Sequence, residues 1–481
     1  MFPSRFPQRL TALVILFMVA GCDGRGSLSD DPAGQFACPS CNLVLISLDT
    51  LRADHVSAYG YPQKTTPFID RWAEDAIVFE SALATAPKTA ESHMSVFTGL
   101  YTTVHQVFTF ARAGQALPSQ IHRLNDRIPT LPEVLKGSGY HTVGFHGGGN
   151  VAAKFGFGRG FDRYERAEID TLAGEKRILR FVSSMSARPD QQFFLFVHSY
   201  HVHAPYTPKA LPRGNASYRG KIEHDRMALR RMTSTGLCES VARCFWSLVD
   251  ESSAADVRHL ETLYDAEITE LDARVGALLQ QLAEVPGETL VVLIGDHGEE
   301  FREHGAFEHT QLYNEILKVP LIIEHPRLME GMRIRSRVSL IDLLPTLLEI
   351  LEIETDLPVQ GSSLLPLLAA DATPREIYSE HPPFFLYTLI EGDKKLILQG
   401  FPSRDIDSYQ KVELYDLRSD PDERRNLAGS DPDLHEMFER LAGRIFAIGV
   451  AGSAIQQGDP PATESLDEET LEQLKALGYL E

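Results

Sequence analysis

Acidic residues and a histidine follow two apolar stretches of the chain, where they could bind a divalent cation. Asp49 ends the stretch NLVLISLD at residues 42–49, and Asp296 and His297 end the core of TLVVLIGDHG at residues 289–298. Carboxylate oxygens are ligands of hard divalent cations, and an adjacent imidazole adds a nitrogen ligand. The triplet Asp-His-Gly alone is equally typical of a turn with a capping aspartate. Asp49 favours the metal site, because a buried carboxylate is costly without a cation.

A threonine stands at the start of a third candidate segment, APKTAESHMSVFTGLY at residues 86–101. This segment has the form of a hydrolase active-site loop that runs into a helix. A threonine hydroxyl beside a divalent ion is a competent nucleophile, because the ion lowers the pKa of the hydroxyl and shields the resulting anion. Thr89 is therefore a candidate nucleophile and a candidate metal-site residue.

The elements that must position these residues are buried strands that alternate with helices. Continuous apolar runs at 42–49 and 289–298, a third at 193–206 and VPLIIEHP after them are typical of strands covered on both faces of a mainly parallel sheet. Amphipathic helices are predicted over TPFIDRWAEDA and DAEITELDARVGALLQQLAE. The alternation predicts an α/β sandwich, whose functional groups gather beyond the carboxyl ends of the strands.

The pattern of apolar and turn residues in the sequence changes near residue 370. Gly392-Asp393 separates two strand-like runs in YTLIEGDKKLILQG, and KVELYDL adds another, which predicts a small antiparallel sheet. A short terminal helix is predicted after a capping box from Ser465 to Glu468. The predicted organisation is a signal peptide (1–21), a flexible tether (22–41), an α/β catalytic domain (42–369), a small sheet subdomain (370–445) and a tail with a short terminal helix (446–481).

The N-terminus predicts export. Arg5 and Arg9 precede the apolar run LTALVILFMVAGC, which is too short to span a bilayer comfortably. It ends in Val-Ala-Gly-Cys, which resembles a bacterial lipobox, so Cys22 is predicted to carry lipid and to anchor a periplasmic lipoprotein to the inner or outer membrane. The alternative is an ordinary secretory signal. The formal charge of −21 argues against a nucleic-acid partner.

The remaining four cysteines form two close pairs, Cys38 with Cys41 and Cys238 with Cys244. Even pairing in an exported protein predicts disulfides. A zinc site built from all four is the alternative, and it would need two distant loops to converge.

Taken in order, many segments resemble the sulfatase family of the alkaline phosphatase superfamily over nearly the whole mature chain. The segments are NLVLISLDTLRADHVSAYGYPQKTTPFIDRWA, FTGLYTTVH, GYHTVGFHGGGN, GFGRGFDRYE, VHAPY, GDHGEEFREHG, HTQLYNEILKVPLII, VSLIDLLPTLLEIL and LYDLRSDPDERRNLA. The resemblance implies a large α/β/α domain with a smaller C-terminal sheet domain. It also implies one divalent cation, which could be Ca, Mn, Mg or Zn.

The resemblance implies that Asp49, Asp296 and His297 are metal ligands, with Thr50 where relatives often have a second acid. It places Thr89 at the nucleophile position, which is Cys or Ser in the family signature Cys/Ser-x-Pro-Ser-Arg. Glu91 then replaces the proline and His93 the arginine. We expect His93 to contact the oxyanion, although it could only supply charge at the helix start.

Two further histidines receive a role from the resemblance. His203 matches a histidine that faces the ester group, with a packed loop histidine as the alternative, and His309 lies where relatives place a lysine or histidine near the leaving oxygen. Gly147 to Gly149 stand where relatives have Lys-Trp-His. His198 and His201 are expected to be structural or solvated, and the pair Glu299 and Glu300 is expected on a solvated face.

Threonine changes the chemistry that the family resemblance implies. Sulfatases of this family oxidise Cys or Ser to formylglycine, an aldehyde, whereas the methyl group of Thr89 would give a ketone. We therefore expect a metal-dependent phosphoester hydrolase that acts on a small-molecule, lipid or glycan ester. The alternatives are a true sulfuric ester hydrolase in which Thr89 acts without oxidation, a phospho-group transferase, and a non-catalytic binding homologue.

Overall fold

A computed structural model of the protein describes residues 32–108, 120–211, 218–368, 375–456 and 462–477. The predicted signal peptide, Cys22 and the first half of the predicted tether (22–31) lie outside the described residues, so lipidation and export stay predictions. The second half is not a free tether, since it contains α1 (Pro32–Phe36) and the Cys38–Cys41 disulfide. Within the described ranges, no helix combines the length and the apolar character needed to cross a membrane.

The strands and helices follow one another along the whole described chain. The strands are β1 (Asn42–Leu48), β2 (Ile77–Phe79), β3 (Ala82–Leu83), β4 (Gln120–Arg123), β5 (His141–His146), β6 (Arg163–Arg166), β7 (Phe193–Ser199), β8 (Thr289–Gly295), β9 (Glu300–Phe301), β10 (Phe307–Glu308), β11 (Lys318–Val319), β12 (Leu321–Glu324), β13 (Met332–Ile334), β14 (Val338–Ser339), β15 (Ile377–His381), β16 (Leu386–Glu391), β17 (Lys394–Gln399), β18 (Lys411–Asp416) and β19 (Ala462–Ser465). The helices are α1 (Pro32–Phe36), α2 (Pro67–Ala73), α3 (Thr89–Thr98), α4 (Thr102–His105), α5 (Leu131–Gly137), α6 (Leu172–Met185), α7 (Arg226–Ser234), α8 (Val241–Trp246), α9 (Ala254–Leu282), α10 (Asn314–Leu317), α11 (Leu343–Ile350), α12 (Leu434–Gln456) and α13 (Glu468–Ala476).

An eight-stranded sheet forms the centre of the larger part, in the order β13-β2-β12-β8-β1-β7-β5-β6. Strand β1 is parallel to both of its neighbours, β7 and β8, whereas β12 runs antiparallel to β8. Along β1, Leu43 and Leu45 belong to one hydrophobic core, and Val44 and Ile46 belong to a second. The predicted burial of these strands on both faces is therefore confirmed, since each face has its own core.

Helices cover both faces of this sheet. Apolar residues of α3, α5, α11 and α12 pack into the first core, and those of α2, α6 and α9 pack into the second. This is the predicted α/β/α sandwich. The predicted helix at 265–284 forms the C-terminal part of the longer α9, which begins after the N-cap Ser253, whose side chain accepts from the Asp256 N–H.

A four-stranded antiparallel sheet, β15-β16-β17-β18, forms the smaller part. Gly392 occupies the left-handed region with φ of 53° in the predicted turn between β16 and β17. Helix α12 runs without interruption across residues 445 and 446, where the sequence suggested that the small subdomain gives way to the tail.

The capping box predicted from Ser465 to Glu468 is wrong. Ser465 is the last residue of β19 and pairs with Gln120, so it is not available as a cap. The side chain of Asp467 instead accepts a hydrogen bond from the Thr470 N–H at the start of α13.

Both predicted disulfides are present, Cys38–Cys41 and Cys238–Cys244. The alternative of one zinc site built from all four cysteines does not apply, because each thiol is paired within its own loop.

Candidate active site

Three polar side chains meet at the carboxyl ends of β1 and β8. Asp49 directly follows β1, and Asp296 and His297 directly follow β8. Because β1 and β8 are parallel neighbours in register, both ends reach the same edge of the sheet. The ligand atoms of the three side chains all lie within 4.8 Å of one another, and all three residues are fully buried. The sequence thus located this cluster correctly.

The hydrogen bonds of the cluster fit a cation. The Nδ1 of His297 donates to the carbonyl of Gly298 (2.9 Å), so a neutral ring carries its lone pair on Nε2. That Nε2 atom lies 3.4 Å from Oδ2 of Asp296. Oδ1 of Asp49 and Oδ2 of Asp296 are buried, and neither has a hydrogen-bond partner among the described residues. Two orphaned carboxylate oxygens and an imidazole lone pair are a suitable ligand set for a divalent cation.

The two carboxylates have pKa values that move in opposite directions. Burial, followed by the nearby charge of Asp296, raises the pKa of Asp49 well above its ordinary value. Burial works against ionisation of Asp296 as well, but the imidazoles of His297 and His93 outweigh it and hold the pKa of Asp296 well below its ordinary value. Two like charges this close do not both ionise readily without a cation, which agrees with the fit of the ligand set.

Thr89 lies beside this cluster at the first turn of α3. Its hydroxyl hydrogen-bonds the Asp49 carboxylate, and its Oγ1 lies 3.4 Å from Nε2 of His297. Ser92 fixes the helix to the end of β8, because its hydroxyl donates to the carbonyl of Asp296 (2.7 Å). All residues of α3 are buried, and the helix ends at Gly99, which has φ of 66°. A side chain at Gly99 would also collide with Val359, since an added Cβ would lie 2.9 Å from it.

His93 lies one turn after Thr89, and its position differs from the expected oxyanion contact. Its Nδ1 donates to the Thr89 carbonyl (2.8 Å) and lies 3.3 Å from Oδ2 of Asp296, while its Nε2 lies 2.8 Å from the hydroxyl of Ser47. Both ring nitrogens are therefore engaged by the protein. The spacing of four residues explains this, because it places the ring against the carbonyl one helical turn earlier. His93 holds the cluster in place rather than facing a substrate oxygen.

His198, which we expected to be structural or solvated, supports Asp49 directly. Its Nδ1 accepts from the Gly147 N–H (3.3 Å), so the neutral ring carries its proton on Nε2, which donates to Oδ2 of Asp49 (3.3 Å). Burial, with the neighbouring His93, holds the pKa of His198 well below its ordinary value. His198 is the sixth residue of β7, and only the parallel pairing of β1 with β7 brings it to Asp49.

His203 and His309 pack against each other on the other side of the cluster, with ring centroids 5.1 Å apart. The Nδ1 of His203 donates to the carbonyl of Ala204 (2.7 Å), and burial lowers the pKa of His203 to about 4. His309 lies 4.4 Å from the His297 ring and 3.1 Å, through Nδ1, from the carboxyl group of Glu299. Both histidines are thus at the cluster, as predicted.

The expectation that Glu299 and Glu300 lie on a solvated face is wrong. Both are fully buried. Glu299 accepts from the hydroxyl of Tyr206 (3.0 Å) and contacts His309, and burial, with the nearby Glu308, raises its pKa well above the ordinary value. Gln311 donates to Glu300. Two adjacent acidic residues suggested a surface position, but each of these carboxyl groups is buried and has a polar partner in the protein.

Two residues at this site had no signal in the sequence. Lys88, the half-buried N-cap of α3, has a pKa lowered by burial and opposed by the charges of Glu308 and Glu91. His381, the last residue of β15, comes from the small C-terminal sheet and is fully buried near Glu91, with Nδ1 3.9 Å from its carboxylate. Neither lies in a recognisable catalytic pattern.

The glycine loop at 147–149 supplies no side chains, and its backbone groups bond to other parts of the protein. The Gly147 N–H donates to His198, the Gly148 N–H to His146 and the Gly149 N–H to Gln473. Gln473 belongs to α13, so the C-terminal helix packs on this loop. A side chain at Gly148 would collide with Gln473, since an added Cβ would lie 2.3 Å from its Oε1.

The fold and the site together define the class of this protein, an α/β/α protein of the alkaline phosphatase superfamily. The sulfatase family model matches residues 41–353, and the model of the N-sulphoglucosamine sulphohydrolase C-terminal region matches residues 302–449. The chain belongs to the sulfatase family.

Individual relatives agree with this assignment. Arylsulfatase K of Xenopus laevis is 33% identical over 215 residues, a match that covers 41% of this chain and 39% of that protein. A solved protein in complex with its substrate D-glucosamine-2-N,6-O-disulfate shares 20% identity, with a TM-score of 0.61 over 88% of this chain and 99% of that one. The phosphonate monoester hydrolase of Agrobacterium radiobacter shares 17%, with a TM-score of 0.61 over 89% and 100%. At these identities the solved structures show the fold alone.

Proposed function

We propose that this protein is a metal-dependent hydrolase of sulfate esters in which Thr89 acts as an unmodified alcohol. The observation that carries the proposal is the contact of the buried Thr89 hydroxyl with both Asp49 and His297, beside two carboxylate oxygens that have no hydrogen-bond partner among the described residues. Family membership and the likeness to arylsulfatase K support sulfate as the ester group. They favour the sulfuric ester alternative over the phosphoester hypothesis drawn from the sequence.

Asp49, Asp296, His297 and the Thr89 hydroxyl would hold one divalent cation, which would supply Lewis acidity and favour the ionised hydroxyl. The rest of the chemistry belongs to the chain itself. Thr89 directs its proton toward Asp49, which leaves the lone pairs of Oγ1 for an electrophile. His93 and Ser92 fix the helix turn that carries Thr89 against Asp296.

In the proposed reaction, a bond forms from Oγ1 of Thr89 to sulfur as the bond from sulfur to the ester oxygen breaks. We assign to His309, which contacts the His203 ring and the carboxyl group of Glu299, the transfer of a proton to the leaving alcohol. Water then cleaves the Thr89 adduct, which releases sulfate and a proton and restores the hydroxyl. The formylglycine route is excluded by the methyl group of Thr89, because oxidation would give a ketone.

A second candidate function, phosphoester hydrolysis or phospho-group transfer, is favoured by Thr89 itself. A threonine phosphoester can be cleaved by attack of water or of an acceptor alcohol at phosphorus, without the aldehyde that formylglycine enzymes use for release. The fold does not separate the two candidates, since it is shared by the sulfate-binding and the phosphonate-cleaving neighbours.

The experiment that tests the proposal is a substrate panel on the purified chain. Aryl sulfate, aryl phosphate and bis-aryl phosphodiester substrates are compared by kcat/KM after dialysis against chelator and addition of Ca, Mn, Mg or Zn. We expect sulfate turnover with at least one cation. Phosphoester turnover that exceeds sulfate turnover would move the assignment to the second candidate, and no turnover of any ester would contradict both.

The proposed setting is the periplasmic face of a bacterial membrane, with lipid on Cys22. The lipobox-like sequence and the two disulfides support it. In detergent phase partitioning, the Cys22→Ser variant is expected to move from the detergent phase to the aqueous phase. Unchanged partitioning would contradict the anchor.

A further inference from the structure

The end of β15 is tied to the segment that leads to Thr89. Ser379 donates through its hydroxyl to the carbonyl of Ala84 (2.7 Å), and the backbone N–H of Glu380 donates to the carbonyl of Thr85 (2.9 Å). These contacts continue the small sheet into the loop before α3. The next residue of β15, His381, is thereby placed beside the start of α3.

Glu380 adds a second anchor. Its buried carboxylate accepts from the backbone N–H (2.6 Å) and the hydroxyl (2.7 Å) of Thr103 at the start of α4, and from the hydroxyl of Tyr378 (2.8 Å). Three hydrogen bonds to one buried carboxylate hold the strand end firmly. His381 therefore has a fixed position in the fold and does not lie on a loose loop.

The His381 ring is buried without a hydrogen bond. It is fully inaccessible and stacks on Phe384, with centroids 4.6 Å apart. Neither Nδ1 nor Nε2 has a hydrogen-bond partner among the described residues, and the acidic group facing Nδ1, Glu91, is too distant at 3.9 Å. Buried polar groups normally have partners, so an imidazole fixed in this way calls for one that the described residues do not supply.

The surroundings of His381 identify the chemistry of that partner. Burial, and then the charges of Lys88 and His297, hold the pKa of His381 well below its ordinary value. The same three causes, with smaller contributions from His203 and His381, lower the pKa of His309. The His381 ring thus lies near the side chains of Lys88 and His297, with the Glu91 carboxylate 3.9 Å from its Nδ1. The glycine loop brings no side-chain donor, and its three N–H groups are already used. Such a group of donors fits a tetrahedral oxyanion.

We propose that His381 is a substrate-contacting residue, which donates a hydrogen bond from its ring to a non-bridging oxygen of the sulfate or phosphate group, with Lys88 beside it. This inference rests on the proposed function, because the anionic group must be the one that Thr89 attacks. The small C-terminal sheet then contributes directly to the ester site.

The test is anion binding by the full-length, cation-loaded protein, measured by titration calorimetry with inorganic sulfate and with inorganic phosphate. His381→Phe keeps an aromatic ring against Phe384 and removes both ring nitrogens. We expect it to weaken the affinity for either anion by roughly tenfold or more, the size expected for one hydrogen bond to a charged group. His381→Gln, which restores an N–H donor, should recover part of that loss. With an ester that the protein hydrolyses, His381→Phe should raise KM by a larger factor than it lowers kcat.

Phe384→Leu is the matched control, because it loosens the stacking and leaves the His381 donors in place. We expect near wild-type anion affinity from it. Wild-type affinity in His381→Phe would overturn the inference, as would an equal loss in Phe384→Leu, which would make His381 structural. A wild-type protein that binds neither anion would also overturn it. Since calorimetry needs no turnover, failure of the proposed function shows separately, as an anion-binding protein that cleaves no ester.

Discussion

The two sides of Thr89 differ in how their polar groups are satisfied. On the side toward the central sheet lie Ser47, His93 and His198, which we call the sheet-side wall. Every ring nitrogen of its two histidines is engaged by a protein atom, one of them by the Ser47 hydroxyl. The second group, which we call the C-terminal wall, consists of Lys88 and His381. The His381 imidazole is buried, and neither of its nitrogens has a hydrogen-bond partner among the described residues. The comparison indicates that the sheet-side wall fixes the reacting groups, whereas in the C-terminal wall the His381 ring is left for a ligand.

The largest effect should come from Thr89, which stands between the two walls. Thr89→Ala removes the attacking oxygen and should lower kcat/KM by roughly a thousandfold or more, as for other covalent catalysts. Thr89→Ser keeps the hydroxyl and should retain most of the activity. Steady-state kinetics on the best ester, with circular dichroism and metal analysis to check fold and ion content, measure this. Near-normal turnover of Thr89→Ala would rule out the nucleophile.

Removal of a carboxylate from the cluster should abolish ion binding. Asp296→Asn deletes one of the two orphaned oxygens, so the variant should lose the bound ion and at least a hundredfold of activity, roughly the loss expected when a metal site fails. The wild type should also gain thermal stability when the ion is added, because the ion binds only the folded cluster. Equal metal content in wild type and variant by elemental analysis would refute the site.

The sheet-side wall should affect kcat more than substrate binding. His198→Phe removes the donor to Asp49 and the acceptor for the Gly147 N–H, and we expect a fall in kcat of about tenfold or more with KM nearly unchanged. The glutamine of His198→Gln can still donate to Asp49, so this variant should retain part of the wild-type kcat. If His198→Phe raised KM as much as His381→Phe does, the proposed difference between the two walls would be contradicted.

Ser92 gives a smaller, structural test of the same wall. Ser92→Ala removes the hydroxyl that donates to the carbonyl of Asp296 and leaves that buried carbonyl without this bond. The free energy of unfolding should fall by about 1–3 kcal/mol, and denaturant unfolding would measure it. Thr98→Val, at the far end of α3, is a control that removes a hydroxyl from the same helix. Unchanged stability of Ser92→Ala would show that the tie between α3 and β8 is not needed.

His201 should have the smallest effect on activity, although it is only two residues from His203. Burial opposes its charge, but the carboxylates of Asp170 (3.3 Å from Nδ1) and Glu270 (3.6 Å from Nε2) outweigh burial and raise the pKa of His201 to about 10. A folded-state pKa above the unfolded value of about 6.5 gives stability that is full below pH 6.5 and is lost as pH rises through 10.

The matching variant is His201→Gln. Relative to the wild type it should lose most stability below pH 6.5 and least above pH 10, while kcat/KM stays within about twofold. Thermal unfolding across this range measures the first effect. A large loss of activity would place His201 with the ester site and blur the comparison between the two walls.

The sheet and the central cluster were predictable because their signals are local. Continuous apolar runs ending in Asp49 and in Asp296-His297 determine both the buried strands and the groups at their ends. Parallel pairing of neighbouring strands then brings these ends to one edge. The turn at Gly392-Asp393 was predictable for the same reason, since a two-residue turn between strands needs few neighbours to be recognised.

The walls around Thr89 were not predictable in this way. His198 reaches Asp49 only through the pairing of β1 with β7, and contacts between β15 and residues 84–85 bring His381 to the start of α3. The predictions of a solvated Glu299 and of a capping Ser465 were wrong for a related reason. Glu299 is buried and Ser465 is paired in a strand, and neighbouring residues in the sequence indicate neither. Long-range contacts leave no periodicity in the sequence.

The central claim is that Thr89 attacks the ester as an unmodified threonine. Rapid-quench mass spectrometry of the proteolysed protein, after mixing with a sulfate or phosphate ester, measures this most directly. We predict that the peptide carrying Thr89 has the unmodified threonine mass before mixing and a transient sulfate or phosphate adduct on Thr89 afterwards. The adduct should be absent from Thr89→Ala. Turnover with no adduct at any quench time, together with an active alanine variant, would contradict the claim.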